Sequence, residues 1–284
     1  MARLQRPQRA DLHIHTRASD GEFTPTQVVA FARQAGLCAA AITDHDTLAS
    51  VEEAKRSAGD QFELIPGVEI SATFAGREVH LLGYFVRLDH WDLNARLAKV
   101  CESRRHRFRE YIALLAKQSI SLPQDQVLRV EEGSHSLGRR HVASLLSKNG
   151  AAKNRTDAFH RFLGPLTARV QPKLLIPIEE ALDLVHKAGG VASLAHPSAD
   201  LSEDDYASLA GLGLTALEID YPWGRNSPCR KLLEIAERFG FARTGGSDCH
   251  GQEPPQRKIG SHGICKDDLG RLRVLASTIS QQRT

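Results

Sequence analysis

The sequence predicts an α/β fold in which short buried strands alternate with amphipathic helices and close into a barrel. Three observations predict it. Short apolar runs recur along the chain, separated by helical stripes. Most of these runs end in histidine or a carboxylate, and functional side chains in parallel α/β folds gather at strand ends. Between residues 94 and 173 the alternation stops and only helical patterns remain. A barrel brings scattered strand ends to one point, whereas an open sheet would spread them along an edge. The expected organisation is one barrel built from residues 1–93 and 174–284, with residues 94–173 as a helical insertion over its mouth.

The first strand is Asp11-Leu12-His13-Ile14-His15. Side chains two apart on a strand share a face, so His13 and His15 project together as half of a metal site. Taken alone, the pair equally fits one packed and one surface histidine. Asp20, just past the strand, can turn a carboxylate into the same space. Thr24-Pro25 reads as an N-cap with proline at the first helical position. Val28, Phe31, Ala32 and Ala35 form that helix's stripe, and Gly36 ends it. Residues 38–43 suit a strand buried on both faces, ending in Asp44-His45-Asp46. A helix is expected over 47–58, then a strand at 62–65 that delivers Glu69, and a strand at 78–84 carrying His80.

In the middle segment, residues 104–117 read as a basic amphipathic helix, with shorter helices at 139–148 and 156–163. From Lys99 to Lys173 there are fifteen Lys/Arg against six Asp/Glu, an excess that suits a phosphate-rich partner. Most of those charges are expected to be ordinary solvated helix surface. The alternation then resumes. A helix over 177–188 has Glu179 and Glu180 in its first turn, where the helix dipole favours carboxylates. A strand at 191–195 stops at His196-Pro197, another spans 214–219, and a helix spans 228–239. A strand at 241–244 leads into Gly245-Gly246-Ser247-Asp248-Cys249-His250, and a final helix covers 266–279.

Composition sets the outer bounds. Hydrophobic residues make up 41% and charged residues 25% of 284, ordinary for a chain that buries a sizeable core. The five cysteines, Cys38, Cys101, Cys229, Cys249 and Cys265, form no C-x-x-C pair and no disulfide framework, so a cytoplasmic protein is expected. No run approaches the roughly 18 apolar residues of a membrane span. The arginine-bearing residues 1–10 lack an apolar stretch and read as a loose tail rather than a secretory signal.

Nine residues form the candidate metal set: His13, His15, Asp20, His45, Glu69, His80, His196, Asp248 and His250. Nine donors are too many for one tetrahedral ion and suit two or three ions with bridging carboxylates. Mixed imidazole and carboxylate suits manganese, iron or zinc better than calcium or magnesium, and manganese is the ion expected. The lack of a cysteine cluster argues against a structural zinc site.

The segments carrying these residues resemble the polymerase and histidinol phosphatase (PHP) family of metal-dependent phosphoesterases. They are Asp11-Leu12-His13-Ile14-His15-Thr16, Thr43-Asp44-His45-Asp46, Pro66-Gly67-Val68-Glu69, Val79-His80-Leu81-Leu82-Gly83, Leu194-Ala195-His196-Pro197 and Gly246-Ser247-Asp248-Cys249-His250. They span nearly the whole chain in the family's order. The resemblance implies a distorted (β/α)7 barrel with a trinuclear metal centre. It places His13, His15, Glu69 and Asp248 around one ion, with Glu69 bridging to a second held with His80 and His196. Asp20, His45 and His250 surround the third. A narrower likeness lies in the insertion. Leu137-Gly138-Arg139-Arg140-His141-Val142-Ala143 is similar to the Gly-Arg-Pro-His-hydrophobic-Ala element of one branch, which includes 3′,5′-nucleotide bisphosphate phosphatases and a 5′-to-3′ exoribonuclease, RNase AM. Phe162-Leu163-Gly164 and Gly189-Gly190-Val191-Ala192 match as well. Arg140 stands where proline is usual, and Pro165-Leu166-Thr167-Ala168-Arg169-Val170 replaces Gly-Lys-Pro-Ala-Tyr-Val.

The resemblance implies a hydrolase in which metal-activated water attacks the 3′-linked phosphorus of a 5′-phosphorylated nucleotide. Arg139 would clamp a second, non-reacting phosphate, which its planar fork suits. His141 would donate to that phosphate or to the scissile group, and Arg140 and Lys173 would add positive charge. Asp248, His196 and His250 stand closest to the chemistry, and the two histidines are candidates to protonate the leaving 3′-oxygen. The expected substrates are a 3′,5′-nucleoside bisphosphate, 5′-phosphorylated short RNA, or both, with no membrane and no obligate protein partner. Trp223 and Arg225 could contact a base, although packing suits the tryptophan equally. A histidinol-phosphate-type phosphatase or another PHP nuclease is the first alternative, disfavoured by the insertion. A non-catalytic nucleotide-binding module is the second, disfavoured by the complete ligand set.

Overall fold

Among the described residues, nine strands carry the architecture: β1 (Arg9–Asp11), β2 (Ala39–Ile42), β3 (Glu63–Phe74), β4 (Arg77–Tyr84), β5 (Ile176–Pro177), β6 (Val191–Leu194), β7 (Ala216–Asp220), β8 (Ala242–Gly245) and β9 (Ile264–Cys265). The structure is a computed structural model and describes residues 9–225 and 227–282. Of the expected loose tail, Arg9 and Ala10 are already in β1, and residues 1–8 lie outside the described residues. The sheet runs β8-β7-β6-β4-β3-β2-β1-β9, with β5 attached to β3. Beyond β1 the chain stays extended and meets the end of β8. The Leu12 amide donates to Gly245 O at 3.1 Å, and Ile14 bridges to Cys249 in parallel. This joins β1, β2, β3, β4, β6, β7 and β8 into a nearly closed, seven-stranded ring. A Cβ on Gly246 would sit 2.3 Å from the His13 nitrogen, so the two segments can pass this closely only because that residue has none.

The sheet is mixed, not parallel as expected. β4 runs antiparallel to both β3 and β6, and β9 runs antiparallel to β1. The β3–β4 hairpin turns at Ala75-Gly76, where both φ angles are positive, 49° and 74°. That is the backbone of a type I′ turn, whose twist matches two paired strands. β3 is also far longer than the expected 62–65, so Glu69 lies inside it, paired with Leu82.

Helix α1 (Pro25–Gln34) starts as its sequence dictates, with Thr24 and Gln27 forming a reciprocal capping box worth about 1 kcal/mol. The helix expected over 47–58 starts only at Val51 (α2, Val51–Ala58). The buried Asp44 carboxylate explains the delay. It accepts from the Thr16 amide and from the hydroxyls of Thr16, Ser19 and Ser50, holding the preceding loop in place. The basic helix predicted over 104–117 is the second half of a longer one, α3 (Trp91–Lys117). After it come α4 (Gln124–Gly133), α5 (Arg139–Lys148), α6 (Arg155–Ala158), a π-helical turn (Phe159–Leu163) and α7 (Gly164–Leu166). The barrel resumes with α8 (Ile178–Lys187), α9 (Glu203–Gly211), α10 (Cys229–Phe239) and α11 (Lys266–Gln281). Helix α9 and the two-residue strands β5 and β9 were not expected from the sequence.

Packing fixes where a site can be. Leu269, Leu272 and Ala276 of α11 share a core with Leu12, Ala39, Ile65, Leu82, Val191 and Ala216. Ala39, Val191 and Ala216 are the first residues of their strands, so α11 fills the barrel at its N-terminal end and leaves the C-terminal end for polar side chains. The helices from α3 to α7 have a core of their own, built on Phe108, Tyr111, Leu115, Val142, Leu146, Leu163 and Leu166. Each such burial contributes roughly 1.5–3 kcal/mol, which gives this segment a fixed shape of its own.

Candidate metal centre

All nine candidate ligands converge at the C-terminal end of the barrel. His13 and His15 come from the extended run after β1, His45 from the end of β2 and Glu69 from within β3. His80 comes from β4, His196 follows β6, and Asp248 and His250 follow β8. β4 is antiparallel, and its ligand His80 lies within the strand, as Glu69 lies within β3. His196 and Asp248 have positive φ angles of 28° and 50°. Such backbone is costly for residues with a Cβ and persists where surrounding structure enforces it.

Glu69 is the centre of the set. Its Oε1 lies 2.8 Å from His80 Nδ1 and 3.1 Å from His196 Nε2. Its Oε2 lies 3.0 Å from His45 Nδ1, 3.2 Å from His15 Nε2 and 3.4 Å from His13 Nε2. Asp248 Oδ1 stands 3.2 Å from His15 Nε2 and 3.5 Å from His13 Nε2. Asp20 Oδ1 is 3.3 Å from His250 Nε2 and 3.9 Å from His45 Nε2. Four groups of mutually close donors result: His15, Asp20, His45 and His250; His13, His15 and Asp248; His13, Glu69 and His196; His45, Glu69 and His80.

These donors fit divalent metal ions better than they fit one another. His13 Nε2, both His15 ring nitrogens, Asp20 Oδ1, His45 Nδ1 and Glu69 Oε2 are buried without a hydrogen-bond partner, a costly arrangement unless something else satisfies them. Donors about 2.1 Å from one ion stand about 3.0–3.4 Å apart, from an octahedral to a tetrahedral edge. The separations of 3.2, 3.4 and 3.5 Å around His13 and His15 lie close to that range. Charge agrees. Burial alone would raise the Glu69 carboxyl, but His45, His80 and His13 hold it well below the usual carboxylate range. Asp248 is likewise held down against burial by His13 and His250. Without metal, protons on the imidazoles compensate the three carboxylates; cations binding the neutral rings would displace those protons and take over that charge.

A supporting layer orients the donors. Glu218 Oε1 lies 2.9 Å from His13 Nδ1, and its Oε2 accepts from the His196 amide at 2.7 Å. Asp248 Oδ2 accepts from the Tyr221 hydroxyl at 2.9 Å and from Arg257, leaving Oδ1 for the imidazoles. His250 Nδ1 donates to Asp248 O at 2.9 Å, which turns Nε2 inward. Next to His45, the buried Asp46 pairs with Arg104 of α3 at 2.7 Å. Arg104 also donates to Ser71 Oγ and to Leu137 O, so it ties the metal-ligand loop to the start of α5. Sequence reasoning missed Glu218, Tyr221, Arg257 and Arg104. Only Glu218 left a clear signal, a lone charge inside the apolar run Ala216-Leu217-Glu218-Ile219.

The expected phosphate-binding residues take up separate positions. Arg139 is exposed at the first position of α5 and lines a cleft with Arg104, Arg107, Tyr111, Thr167 and Lys173. Lys173 pairs with Glu78, whose Oε1 is 3.3 Å from His80 Nε2. Arg140 turns to Asp20, with Nε 3.5 Å from Oδ2. His141 has a structural partner on each ring nitrogen. Its Nδ1 accepts from the Gly138 amide at 3.0 Å, capping α5, and its Nε2 lies 3.2 Å from Ser134 Oγ. Trp223 packs rather than projects, donating to Ile219 O at 2.8 Å.

Comparison with known proteins agrees with this geometry. Residues 11–160 match the PHP domain. The chain is 38% identical over 191 residues to the 5′-3′ exoribonuclease Rnm of Salmonella typhimurium, covering 66% of this chain and 64% of that enzyme. It is 29% identical over 261 residues to the 3′,5′-nucleoside bisphosphate phosphatase of Chromobacterium violaceum, covering 88% and 90% of the two chains. A crystal structure from Bifidobacterium adolescentis, assigned as a metal-dependent phosphoesterase, superposes with a TM-score of 0.86 at 30% identity over 95% of this chain and 97% of that one. With its nine-donor centre on a nearly closed mixed barrel, the chain belongs to the PHP-domain family.

Proposed function

We propose that this protein is a metal-dependent phosphoester hydrolase that cleaves the 3′-linked phosphate of 5′-phosphorylated nucleotides. Its substrates are 3′,5′-nucleoside bisphosphates and the 5′ end of 5′-monophosphorylated RNA. The observation that carries this reading is the convergence of His13, His15, Asp20, His45 and Glu69, whose buried donor atoms lack hydrogen-bond partners, beside the basic cleft of Arg139. The names of the two relatives support both substrates: one is an exoribonuclease and the other a bisphosphate phosphatase.

Divalent ions, two or three and manganese by preference, supply an activated water and neutralise charge on the phosphoryl oxygens. The nine donors would hold them, His13, His15, Glu69 and Asp248 around one, Glu69, His80 and His196 around another, and Asp20, His45 and His250 around the third. The protein's own groups do the rest. The helical segment of residues 94–173, read as an insertion, supplies Arg139, which with Lys173 holds the 5′-phosphate. Tyr221 and Arg257 keep Asp248 aimed. His196, 27% exposed, is the most open imidazole of the set and could give a proton to the leaving 3′-oxygen only through a ring nitrogen not committed to an ion; His250 is nearly enclosed. Five free cysteines fit the reducing cytoplasm.

The test is reconstitution. Protein stripped by a chelator should release no phosphate from adenosine 3′,5′-bisphosphate, and Mn²⁺ should restore release. Phosphate release that is indifferent to chelation would contradict the reading.

A further inference from the structure

Arg139 and Arg140 are neighbours in sequence, but α5 rotates about 100° per residue and directs them into different clefts. Arg139 lines the cleft that reaches the metal donors through Lys173, Glu78 and His80. Arg140 lines a second cleft, whose inner end is Asp20 and whose walls carry Arg17, Arg129, Lys148 and Arg155. The two clefts therefore meet the donor cluster at different residues, His80 for one and Asp20 for the other.

The second cleft is built for anions. Its two acidic residues are Asp20, a metal donor, and Glu22, which is paired with Arg155. Arg140 Nε is buried without a hydrogen-bond partner. Arg17 and Lys148 are exposed, with no carboxylate within ion-pair distance among the described residues. No Phe, Tyr or Trp lines the cleft, and its one ring, His141, has both nitrogens in local hydrogen bonds, so the main contacts on offer are from its cations to backbone phosphates. The Arg139 cleft differs, because it includes Phe108 and Tyr111.

We propose that the Arg140 cleft is a track for the RNA chain on the 3′ side of the bond being cut, gripping its phosphates without reading its sequence. A bisphosphate ends at the scissile phosphate and has nothing to place there, whereas an RNA continues. A charged groove that follows a single strand by its backbone is a common solution to sequence-indifferent binding. The inference rests on the function proposed above.

The test uses the Arg129→Ala/Lys148→Ala double variant, whose two side chains are at the exposed outer part of the cleft. Turnover of a 5′-phosphorylated RNA decamer and of adenosine 3′,5′-bisphosphate is measured with Mn²⁺ across a salt series. The expected result is a decamer KM raised about tenfold and a log–log salt slope shallower by about 1.4, from two lost phosphate contacts on a single strand. Bisphosphate turnover should be unchanged, which also shows that the variant is folded. An unchanged decamer KM, or an equal loss on both substrates, would overturn the track. So would wild-type protein that turns over the bisphosphate and leaves the decamer intact. Failure of wild type on both substrates would instead overturn the underlying function.

Discussion

Glu218 and His13 are joined side chain to side chain at 2.9 Å, and neither is exposed to solvent. His13 Nδ1–H donates to the carboxylate, which leaves Nε2 unprotonated and aimed at the donor cluster. Outer partners of this kind set the tautomer and orientation of a metal-ligating imidazole, and losing one typically costs about 10–100-fold in metal affinity or activity. Glu218→Gln should therefore raise the Mn²⁺ concentration giving half-maximal activity by about that factor. A metal titration superimposable on wild type would remove Glu218 from this role.

Arg104 and Asp46 make a buried ion pair beside His45. Removing the cation leaves an uncompensated buried carboxylate, which typically costs about 3–5 kcal/mol. Arg104→Met should lower stability to urea by an amount in that range, and adding Asp46→Asn should recover part of it. If the double variant is as unstable as the sum of the singles, the two side chains are not coupled.

Arg139 and His141 separate binding from capping. Arg139 is exposed, so Arg139→Ala should leave thermal stability unchanged, raise KM for 5′-phosphorylated RNA and abolish the preference over a 5′-hydroxyl end. His141→Ala should leave the Gly138 amide without its acceptor and cost about 1 kcal/mol of stability, with the 5′-phosphate preference retained. Thermal melts and paired substrate assays distinguish the two. Loss of the preference in His141→Ala alone would reverse the assignment.

Metal should stabilise as well as activate. Ions that bind only the folded chain at a hundredfold excess over Kd contribute about 2.7 kcal/mol per site. Chelated protein should melt below protein with Mn²⁺, and Glu69→Gln should erase most of the difference because Glu69 touches five of the imidazoles. Identical melts with and without Mn²⁺ would argue that the cluster holds no ion.

The convergence of the nine residues is legible in the sequence because His15, His45, His196, Asp248 and His250 follow apolar runs, where barrel geometry converges; Glu69 and His80 lie within their strands. What was not legible depended on pairing. The β3–β4 hairpin hides because its turn, Ala75-Gly76, lacks the Asn-Gly or Asp-Gly signature of a type I′ turn, so antiparallel β4 read as another parallel strand. Asp44 and Asp46 flank His45 symmetrically in sequence, yet one gathers hydroxyls and the other meets an arginine 58 residues away. The motif around His141 points to phosphate and carries no sign of its capping bond, since only the folded turn brings its Nδ1 to the Gly138 amide.

The central claim is that one geometry cuts the 3′-linked phosphate behind a held 5′-phosphate. The most direct test is a product assay with Mn²⁺ on adenosine 3′,5′-bisphosphate, 5′-phosphorylated RNA and the same RNA with a 5′-hydroxyl. The account predicts inorganic phosphate from the first, nucleoside 5′-monophosphates released stepwise from the 5′ end of the second, and little turnover of the third. Internal cleavage, release from the 3′ end, or equal turnover of both RNAs would contradict it.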